Sequence, residues 1–419
     1  MVLSNAFILA FLLLLLSRHD FVVAESESEG RGQTSWKNAS RSSRKPNILL
    51  ILADDVGTGD IPYYWKENSL VNTPNIDKLS EMGVTFMDAH STPLCAPSRY
   101  MLLSGNYAHR GYVPKGTWSW NDRNSNQFLS GQKSIAEILR DQADYSTAMF
   151  GKWHMGAGVP RNEGVDFNKT HILTDDRHDW SQKIIDGPSD VGFETSLITT
   201  AGIQAPPYVF FKDGFLTIDQ SDAVFWKGGS YQTPHGTSKI AESRKFEGEG
   251  AEDWDSSAYN MILVNETKKF VENHLENEGE NPFFAYVALG AVHSPHSPPD
   301  SYIDGDPIAG QYETNHLDML LEMDKVVGSL VSIIEDKNLA EDTIIIFTSD
   351  NGGLSPREGT DYSLGHRSSG PLRGHKALVS FVFLIVGNLD SFLVKNGWKI
   401  NFKITPYMNR CTREDIGFL

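Results

Sequence analysis

The sequence predicts an α/β fold with a doubly wound, mostly parallel sheet that carries helices on both faces. Helical and strand patterns alternate along the chain, as they do where each parallel strand is followed by a covering helix. The predicted strands are continuous apolar runs, which is typical of parallel strands buried on both faces. The 419 residues are sufficient for one large domain, or for a core with a small second domain.

The first predicted element is the apolar run Asn47–Ala53, a buried strand that ends at Asp54 and Asp55. Four pairs of a helix and a strand are predicted after it. They are residues 75–82 and 84–87, 134–142 and 146–151, 256–275 and 283–289, and 316–336 and 343–348. Between about 160 and 250 the pattern weakens, so long loops and short strands around a site are expected there.

Both ends of the chain differ from this core. Residues 6–16 are apolar but too short to span a bilayer, and small residues at 22–24 suit cleavage, so residues 1–24 are expected to be a signal peptide. Residues 25–45 are polar and predict a flexible leader. Three glycosylation sequons agree with a secretory route: Asn38, Asn168 and Asn265. The expected destination is secretion or a lysosome- or vacuole-like lumen.

Composition argues against some classes of partner. The chain has 54 acidic and 37 basic side chains and a formal net charge of -17. A nucleic-acid-binding surface requires a basic excess, so no nucleic acid is expected as a partner. No transmembrane span is expected either. Only two cysteines exist, Cys95 and Cys411, so disulfides are not expected to stabilise the chain.

Acidic pairs follow two of the predicted buried strands. Asp54 and Asp55 follow the first strand, and Asp350 with Asn351 follows residues 343–348. Each pair alone is explained by local hydrogen bonding in a turn. Together they predict convergence, because parallel strands bring their carboxyl ends side by side. Crowded carboxylates require a cation, and an all-oxygen ligand set suits calcium or magnesium better than zinc.

Residues 94–105 read as a loop that runs into a helix. Cys95 is expected just before the helix N-terminus, where free amides favour anions, and Arg99 can face the same anion. A buried free cysteine is the alternative interpretation. Lys152 and His154 follow another strand and are two residues apart, so they would point to one face if the extended geometry continued. An exposed strand end is the alternative there.

Two further segments carry candidate residues. Residues 292–299 follow an apolar strand, and their prolines fix a loop from which His293 or His296 could face the cleft. Residues 371–376 are basic and contain glycine, and they end at Lys376. Without other support, this second segment would be interpreted as a solvated loop.

In this order, the segments resemble the sulfatase family of the alkaline-phosphatase superfamily. Residues 95–99 match the C-x-P-S-R pattern in which that family oxidises cysteine to formylglycine (3-oxoalanine). The accompanying patterns are D-D after the first strand, G-K-W-H, H-x-P, S-D-N-G-G and L-R-G-x-K. The resemblance covers residues 46–376, which are therefore expected to form an arylsulfatase-like catalytic domain.

The resemblance implies hydrolysis of sulfate esters, with carbohydrate sulfates expected and aryl or steroid sulfates left open. The modified Cys95 would supply an aldehyde hydrate that attacks sulfur, and a formylglycine-generating enzyme would be the maturation partner. The implied ligands of one calcium ion are Asp54, Asp55, Cys95, Asp350 and Asn351. The other implied roles are a steadying one for Arg99, sulfate binding by Lys152, deprotonation of the hydrate by His154, and assistance to the leaving oxygen by His293 with Lys376. His296 matches no family position and is interpreted as structural.

The chain departs from the family's pattern after Lys376. Residues 377–419 form an atypical tail that contains Cys411 and is apolar enough at 377–387 for a strand. The family's smaller C-terminal domain is expected to be missing or replaced. Two alternatives therefore stay open: a phosphonate or phosphodiester hydrolase of the same superfamily, and an inactive truncated relative. Specificity is expected in the loops at 105–130, 155–255 and 355–370.

Overall fold

The computed structural model describes a large part of the chain. The described residues are 3–4, 45–66, 69–113, 126–160, 173–174, 178–226, 246–279, 281–355, 360–378 and 380–387. The predicted signal peptide, apart from residues 3–4, and the leader before residue 45 lie outside them. So do Cys411 and two of the sequons, Asn38 and Asn168.

The elements alternate much as the sequence predicts. The α-helices of the described residues are α1 Pro74–Glu81, α2 Cys95–Ser104, α3 Ile135–Ala143, α4 Tyr259–Asn277 and α5 Asn315–Asp336. The strands are β1 Leu3–Ser4, β2 Asn47–Ala53, β3 Gly83–Ser91, β4 Ser146–Lys152, β5 Thr195–Thr199, β6 Phe211–Lys212, β7 Phe215–Leu216, β8 Ala223–Trp226, β9 Gly248–Ala251, β10 Phe283–Ala288, β11 Thr343–Ser349 and β12 Ser380–Gly387.

One large sheet organises the molecule, in the order β1-β3-β12-β11-β2-β10-β4-β5-β6-β7. β2 lies in parallel between β10 and β11, and β4 continues the parallel pairing from β10 to β5. α5 contacts both α1 and α4, while α2 contacts α3. The predicted doubly wound α/β class is confirmed. No helix within the described ranges combines the length and apolarity needed to cross a membrane.

The central strands form the core because their sequences are apolar throughout. All seven residues of β2 and all six of β10 are buried. Burial of each large aliphatic side chain contributes about 1.5–3 kcal/mol relative to exposure. α3 begins where Ser134 caps it, with the Ser134 hydroxyl accepting a hydrogen bond from the Glu137 amide at 3.0 Å.

The strand expected in residues 377–387 is present as β12, and it belongs to the same sheet as the rest of the core. β12 lies antiparallel between β3 and β11. Its residues Val382–Val386 are buried, and Thr348 of β11 donates a hydrogen bond to the Phe383 carbonyl at 2.5 Å. The core sheet therefore extends beyond Lys376 into the segment predicted as a tail.

Candidate active site

The candidate site lies at the carboxyl edge of four neighbouring parallel strands. β11, β2, β10 and β4 are consecutive in the sheet, so the segments that follow them meet at one edge. Asp350 follows β11, Asp54 follows β2, Lys152 ends β4, and His293 lies in the segment after β10. All four side chains are buried.

The acidic pairs meet as the strand order predicts. The Asp55 amide donates a hydrogen bond to Asp350 Oδ1 at 3.3 Å, and the Asn351 side-chain amide donates to Asp55 Oδ1 at 2.8 Å. Asp55 has a φ of 65°, which a non-glycine residue rarely adopts. Because of this turn, the neighbouring side chains of Asp54 and Asp55 both enter one buried cluster instead of pointing to opposite faces.

Three cations surround this cluster. Lys152 Nζ lies 2.5 Å from Asp54 Oδ2, and Lys376 Nζ lies 2.7 Å from Asp55 Oδ2. Arg99 donates to Asp350 Oδ2 from Nε at 3.1 Å and from Nη2 at 2.7 Å. Its remaining nitrogen Nη1 donates to the Lys152 carbonyl at 2.8 Å, so the guanidinium connects α2 to two strand ends.

The pKa values of the three carboxyl groups shift in different directions. Burial disfavours ionisation of Asp54 and Asp55, but the nearby cations, chiefly Lys152 and Lys376, outweigh burial and lower both pKa values. The pKa of Asp350 is raised instead, by burial and then by the negative charge of Asp54. Three carboxyl groups thus face three cations, and Asp350 is the one whose ionisation the surrounding protein favours least.

Cys95 is the first residue of α2 and faces His154. Its Sγ lies 3.2 Å from His154 Nδ1, and both side chains are buried. Burial raises the pKa of the Cys95 thiol, and Asp350 adds to the rise against the opposing charge of Lys152. Burial and then the charge of Lys152 hold the pKa of His154 well below its usual range. The pair is therefore a neutral thiol beside a neutral imidazole.

His154 corrects one geometric expectation. β4 ends at Lys152, and His154 has a φ of 53°, so the extended geometry that would place both side chains on one face does not continue. The two side chains still reach the same cluster. The His154 amide donates to the Thr200 carbonyl at 2.9 Å, which fixes the turn.

His293 and Lys376 form a second pair at the edge of the cluster. His293 Nδ1 lies 2.7 Å from the Ser294 carbonyl oxygen, which can only accept, so Nδ1 carries the proton. His293 Nε2 therefore accepts from Lys376 Nζ at 2.9 Å. Burial, and next the charge of Lys376, lowers the pKa of His293 to about 3. Burial opposes the charge of Lys376, but Asp55 outweighs it and raises the pKa of that ammonium.

The residues present fit a hard divalent cation. Asp54 Oδ1 and Asn351 Oδ1 are buried oxygen atoms that have no hydrogen-bond partner among the described residues. Ligand atoms of Asp54, Cys95 and Asp350 lie within 4.8 Å of one another, as do those of Asp54, Asp55 and His293. Buried carboxylate and amide oxygens that lack a donor are the ligands that calcium prefers.

Some contacts carried no recognisable signal in the sequence. Gln204 Oε1 accepts from Lys152 Nζ at 3.1 Å, although residue 204 lies in the stretch where the pattern weakens. His296, interpreted as structural, packs beside His316, with ring centroids 5.1 Å apart. His316 Nδ1 pairs with Asp361. The loop at 371–376 is not merely solvated, because Lys376 Nζ donates to Asp55 Oδ2 at the cluster.

Comparison with known proteins agrees with this fold. The Sulfatase family model matches residues 46–378. The chain therefore belongs to the sulfatase family.

Curated relatives resemble the chain at modest identity. An N-acetylgalactosamine-6-O-sulfatase of Bacteroides thetaiotaomicron is 28% identical over 378 residues, which cover 83% of this chain and 67% of the relative. Human Arylsulfatase D is 28% identical over 348 residues, which cover 75% of this chain and 55% of the relative. The chain thus spans about half to two thirds of the length of these proteins.

Solved structures share the fold. One comes from work on the metabolism of multiple glycosaminoglycans by Bacteroides thetaiotaomicron; it has a TM-score of 0.65 and 25% identity, and the match covers 83% of this chain and 72% of that one. The PsFucS1 sulfatase from Pseudoalteromonas sp. has a TM-score of 0.54 and 22% identity, with 82% and 62% covered. The second likeness concerns the fold alone.

Proposed function

We propose that the chain is a sulfatase that hydrolyses carbohydrate sulfate esters, with Cys95 converted to formylglycine and with one bound calcium ion. The observation that carries the proposal is the position of Cys95 Sγ, 3.2 Å from His154 Nδ1 and within the acidic cluster of Asp54 and Asp350. A formylglycine-generating enzyme would convert Cys95 during maturation. The relatives named as N-acetylgalactosamine-6-sulfatases support a sulfated hexosamine as the substrate class.

Calcium, when bound, would neutralise sulfate oxygens and acidify the nucleophile at position 95. Its proposed ligands are Asp54, Asp55, Asp350, Asn351 and the modified residue 95. The two orphaned oxygens, Asp54 Oδ1 and Asn351 Oδ1, support this assignment because a cation would satisfy both.

His154 would accept a proton from the nucleophile at position 95. Its lowered pKa leaves the ring neutral and able to accept, and its Nδ1 already faces the side chain of residue 95. Lys152 would bind a sulfate oxygen, since its ammonium is held at the cluster by Asp54 and Gln204. Arg99 would keep Asp350 and the end of β4 in register for both tasks.

The His293 and Lys376 pair would serve the leaving oxygen. Negative charge grows on that oxygen as the sulfur–oxygen bond breaks, and a fixed cation there lowers the barrier. Lys376 keeps its charge because Asp55 stabilises it, and its proton is shared with His293 Nε2 at 2.9 Å. The pair therefore combines a stabilising charge with a transferable proton.

The decisive experiment is peptide mass spectrometry across residues 94–99 of protein made in a secretory host, combined with turnover of sulfate and phosphate esters of one phenol. Aldehyde at position 95 and preferred sulfate turnover support the proposal. Cys95→Ala should abolish turnover, whereas Cys411→Ala, the matched control in the only other cysteine, should not. An unmodified thiol would remove the nucleophile.

The same measurement separates the alternatives. Dominant phosphodiester turnover would favour the phosphonate or phosphodiester hydrolase. Complete conversion of Cys95 without any turnover would favour a non-catalytic relative. The proposed secretory route is tested by sequencing the N-terminus of the exported protein, which should begin at Glu25. Asn265, which is exposed on α4, should carry a glycan that a glycosidase removes.

A further inference from the structure

A loop of residues 361–370 rests on both turns that carry the proposed metal ligands. The Gly59 amide donates to the Ser368 carbonyl at 2.8 Å. A Cβ added at Gly57 would lie 1.9 Å from that same carbonyl oxygen, and one at Gly353 would lie 2.4 Å from Ser368 Cβ. Gly57 is two residues beyond Asp55, and Gly353 is two beyond Asn351. The 361–370 loop is therefore part of the wall of the candidate site.

Two buried imidazole–carboxylate pairs fix this loop on either side of its tip. Asp361 pairs with His316 of α5, and His366 Nε2 lies 2.7 Å from Asp60 Oδ1. Both histidines and both carboxyl groups are buried, whereas residues 362–365 between them are exposed. An exposed tip held between two buried anchors has a defined position beside the candidate site.

Arg367, directly after the second anchor, stacks on Tyr362 of the tip. The Arg367 guanidinium carbon lies 3.5 Å from the centroid of the Tyr362 ring, and 43% of Tyr362 is exposed. Arg367 Nη1 donates to the carbonyls of Tyr362 at 2.9 Å and of His366 at 2.8 Å. No ion pair joins Arg367 to a carboxylate in the part of the chain that the structure describes. A guanidinium fixed by stacking and by carbonyls is preorganised to bind an anion.

The charge of the surrounding segment points to the same ligand. The chain as a whole is acidic, yet residues 362–378 contain three basic side chains and no aspartate or glutamate: Arg367, Arg373 and Lys376. Lys376 already contacts the catalytic cluster. Along the sequence, this cationic segment joins Lys376, at the proposed leaving-group site, to the stacked arginine, and its charge favours an anionic ligand.

We propose that Arg367, positioned by Tyr362, is a specificity-determining residue that binds an anionic group on the sugar next to the one that carries the cleaved sulfate. The preferred substrate is then a polyanionic oligosaccharide. This inference rests on the proposed sulfatase function and narrows its substrate. The anionic group is a carboxylate or a second sulfate, since a guanidinium pairs with either.

The test compares three probes: a 6-sulfated N-acetylhexosamine, a disaccharide that adds a uronic acid to it, and a disaccharide that adds a sulfated neutral sugar. The wild-type protein should have a lower KM for at least one disaccharide, and the disaccharide it prefers identifies the anion. Arg367→Ala should raise that KM about tenfold, the value of one charge-assisted contact, with kcat unchanged. KM for the single sugar should not change.

Two further variants keep the result interpretable. Arg367→Gln keeps a donor for the loop carbonyls but has no charge, so it should behave as Arg367→Ala does. Arg140→Ala removes a cation from α3, beside Asp141, and should leave all three KM values unchanged. Added salt should also reduce the difference in KM between the single sugar and the preferred disaccharide for the wild-type protein. It should not change that difference for Arg367→Gln.

Several results would overturn the inference. One is that the wild-type protein has equal KM values for the single sugar and for both disaccharides. Another is that KM is unchanged in both Arg367 variants. A third is that KM rises equally for all three probes in these variants, which would mean a general disturbance of the loop. Sulfatase turnover of the single sugar would persist in each of these cases. Absence of turnover by the wild-type protein on every probe would instead count against the proposed function on which the inference rests.

Discussion

Glu322 on α5 provides a sharp test of the electrostatics of the core. It is fully buried, and its Oε1 accepts a hydrogen bond from the Asn260 side-chain amide at 3.1 Å. Its other oxygen has no hydrogen-bond partner among the described residues. Burial raises the pKa of Glu322 to about 8, and the charge of Asp255 adds to burial against the opposing bond from Asn260. The perturbation is Glu322→Gln, which keeps the shape and the acceptor while removing the titration.

The size of the effect on stability follows from the pKa of Glu322 in the folded and in the unfolded protein. The pKa of Glu322 is about 8 in the folded protein against an ordinary value of 4.5, so the folded state binds the proton more tightly. Its contribution to stability is fully present below pH 4.5 and is lost as pH rises towards 8. At about 1.4 kcal/mol per pKa unit, the free energy of unfolding contributed by Glu322 falls by about 5 kcal/mol across this window.

The assay is urea unfolding of the wild-type protein and Glu322→Gln between about pH 4.5 and 8, at constant calcium. His296 has the opposite sign, because burial and then the charge of His316 lower its pKa to about 3 and neutral His296 stabilises only at higher pH. The difference between the two proteins cancels that contribution. Relative to that of the wild-type protein, the free energy of unfolding of Glu322→Gln should increase by about 5 kcal/mol as pH rises. A difference that is the same at every pH would refute the reasoning, as would an equal effect of Glu335→Gln, a partly exposed control on the same helix.

Three further outcomes are expected. Lys376→Met should lower kcat about 10²–10⁴-fold for sugar sulfates and much less for nitrophenyl sulfate, because a good leaving group needs little charge stabilisation. Equal losses of kcat across a series of leaving groups would contradict this role of Lys376. Calcium at about 100 times its Kd should raise the free energy of unfolding by about 3 kcal/mol, and thermal unfolding should show that Asp350→Asn loses most of this gain. Gly59→Ala would place a Cβ 1.8 Å from the Arg367 carbonyl oxygen, so urea unfolding should show a loss of about 1–3 kcal/mol, and an unchanged midpoint would argue against the loop position.

The sequence was most informative where one strand is buried on both faces. β2 and β11 were predicted within a residue of their ends because their apolar runs stop at Asp54 and Asp350. β3 was predicted only at 84–87, because Asp88 and His90 break the apolar pattern. The strand continues to Ser91 through its pairing with β12, a partner that is nearly 300 residues away in the sequence.

The same contrast holds within the site. Convergence of the Asp54 and Asp350 turns follows from the parallel order of the strands, which a pattern of apolar runs can predict. The place of Lys376 does not, because its contact with Asp55 joins positions 321 residues apart through a loop whose composition resembles a solvated one. The contact of Gln204 with Lys152 could not be predicted either. Gln204 lies in an irregular stretch, where no repeating pattern of apolar residues indicates which way a side chain points.

The electrostatics of Cys95 also argue about the kind of nucleophile this site can use. A cysteine hydrolase requires a thiolate, which an adjacent protonated histidine stabilises. Here burial raises the pKa of Cys95 and lowers that of His154, so both groups are held in their neutral forms. The nearby Asp350 further opposes a negative charge on sulfur. With burial and the protein's own charges alone, the encoded thiol is held neutral beside a neutral imidazole. The same imidazole and the ammonium of Lys152 are the groups that the proposed converted residue at position 95 would use to lose a proton and to bind a sulfate oxygen.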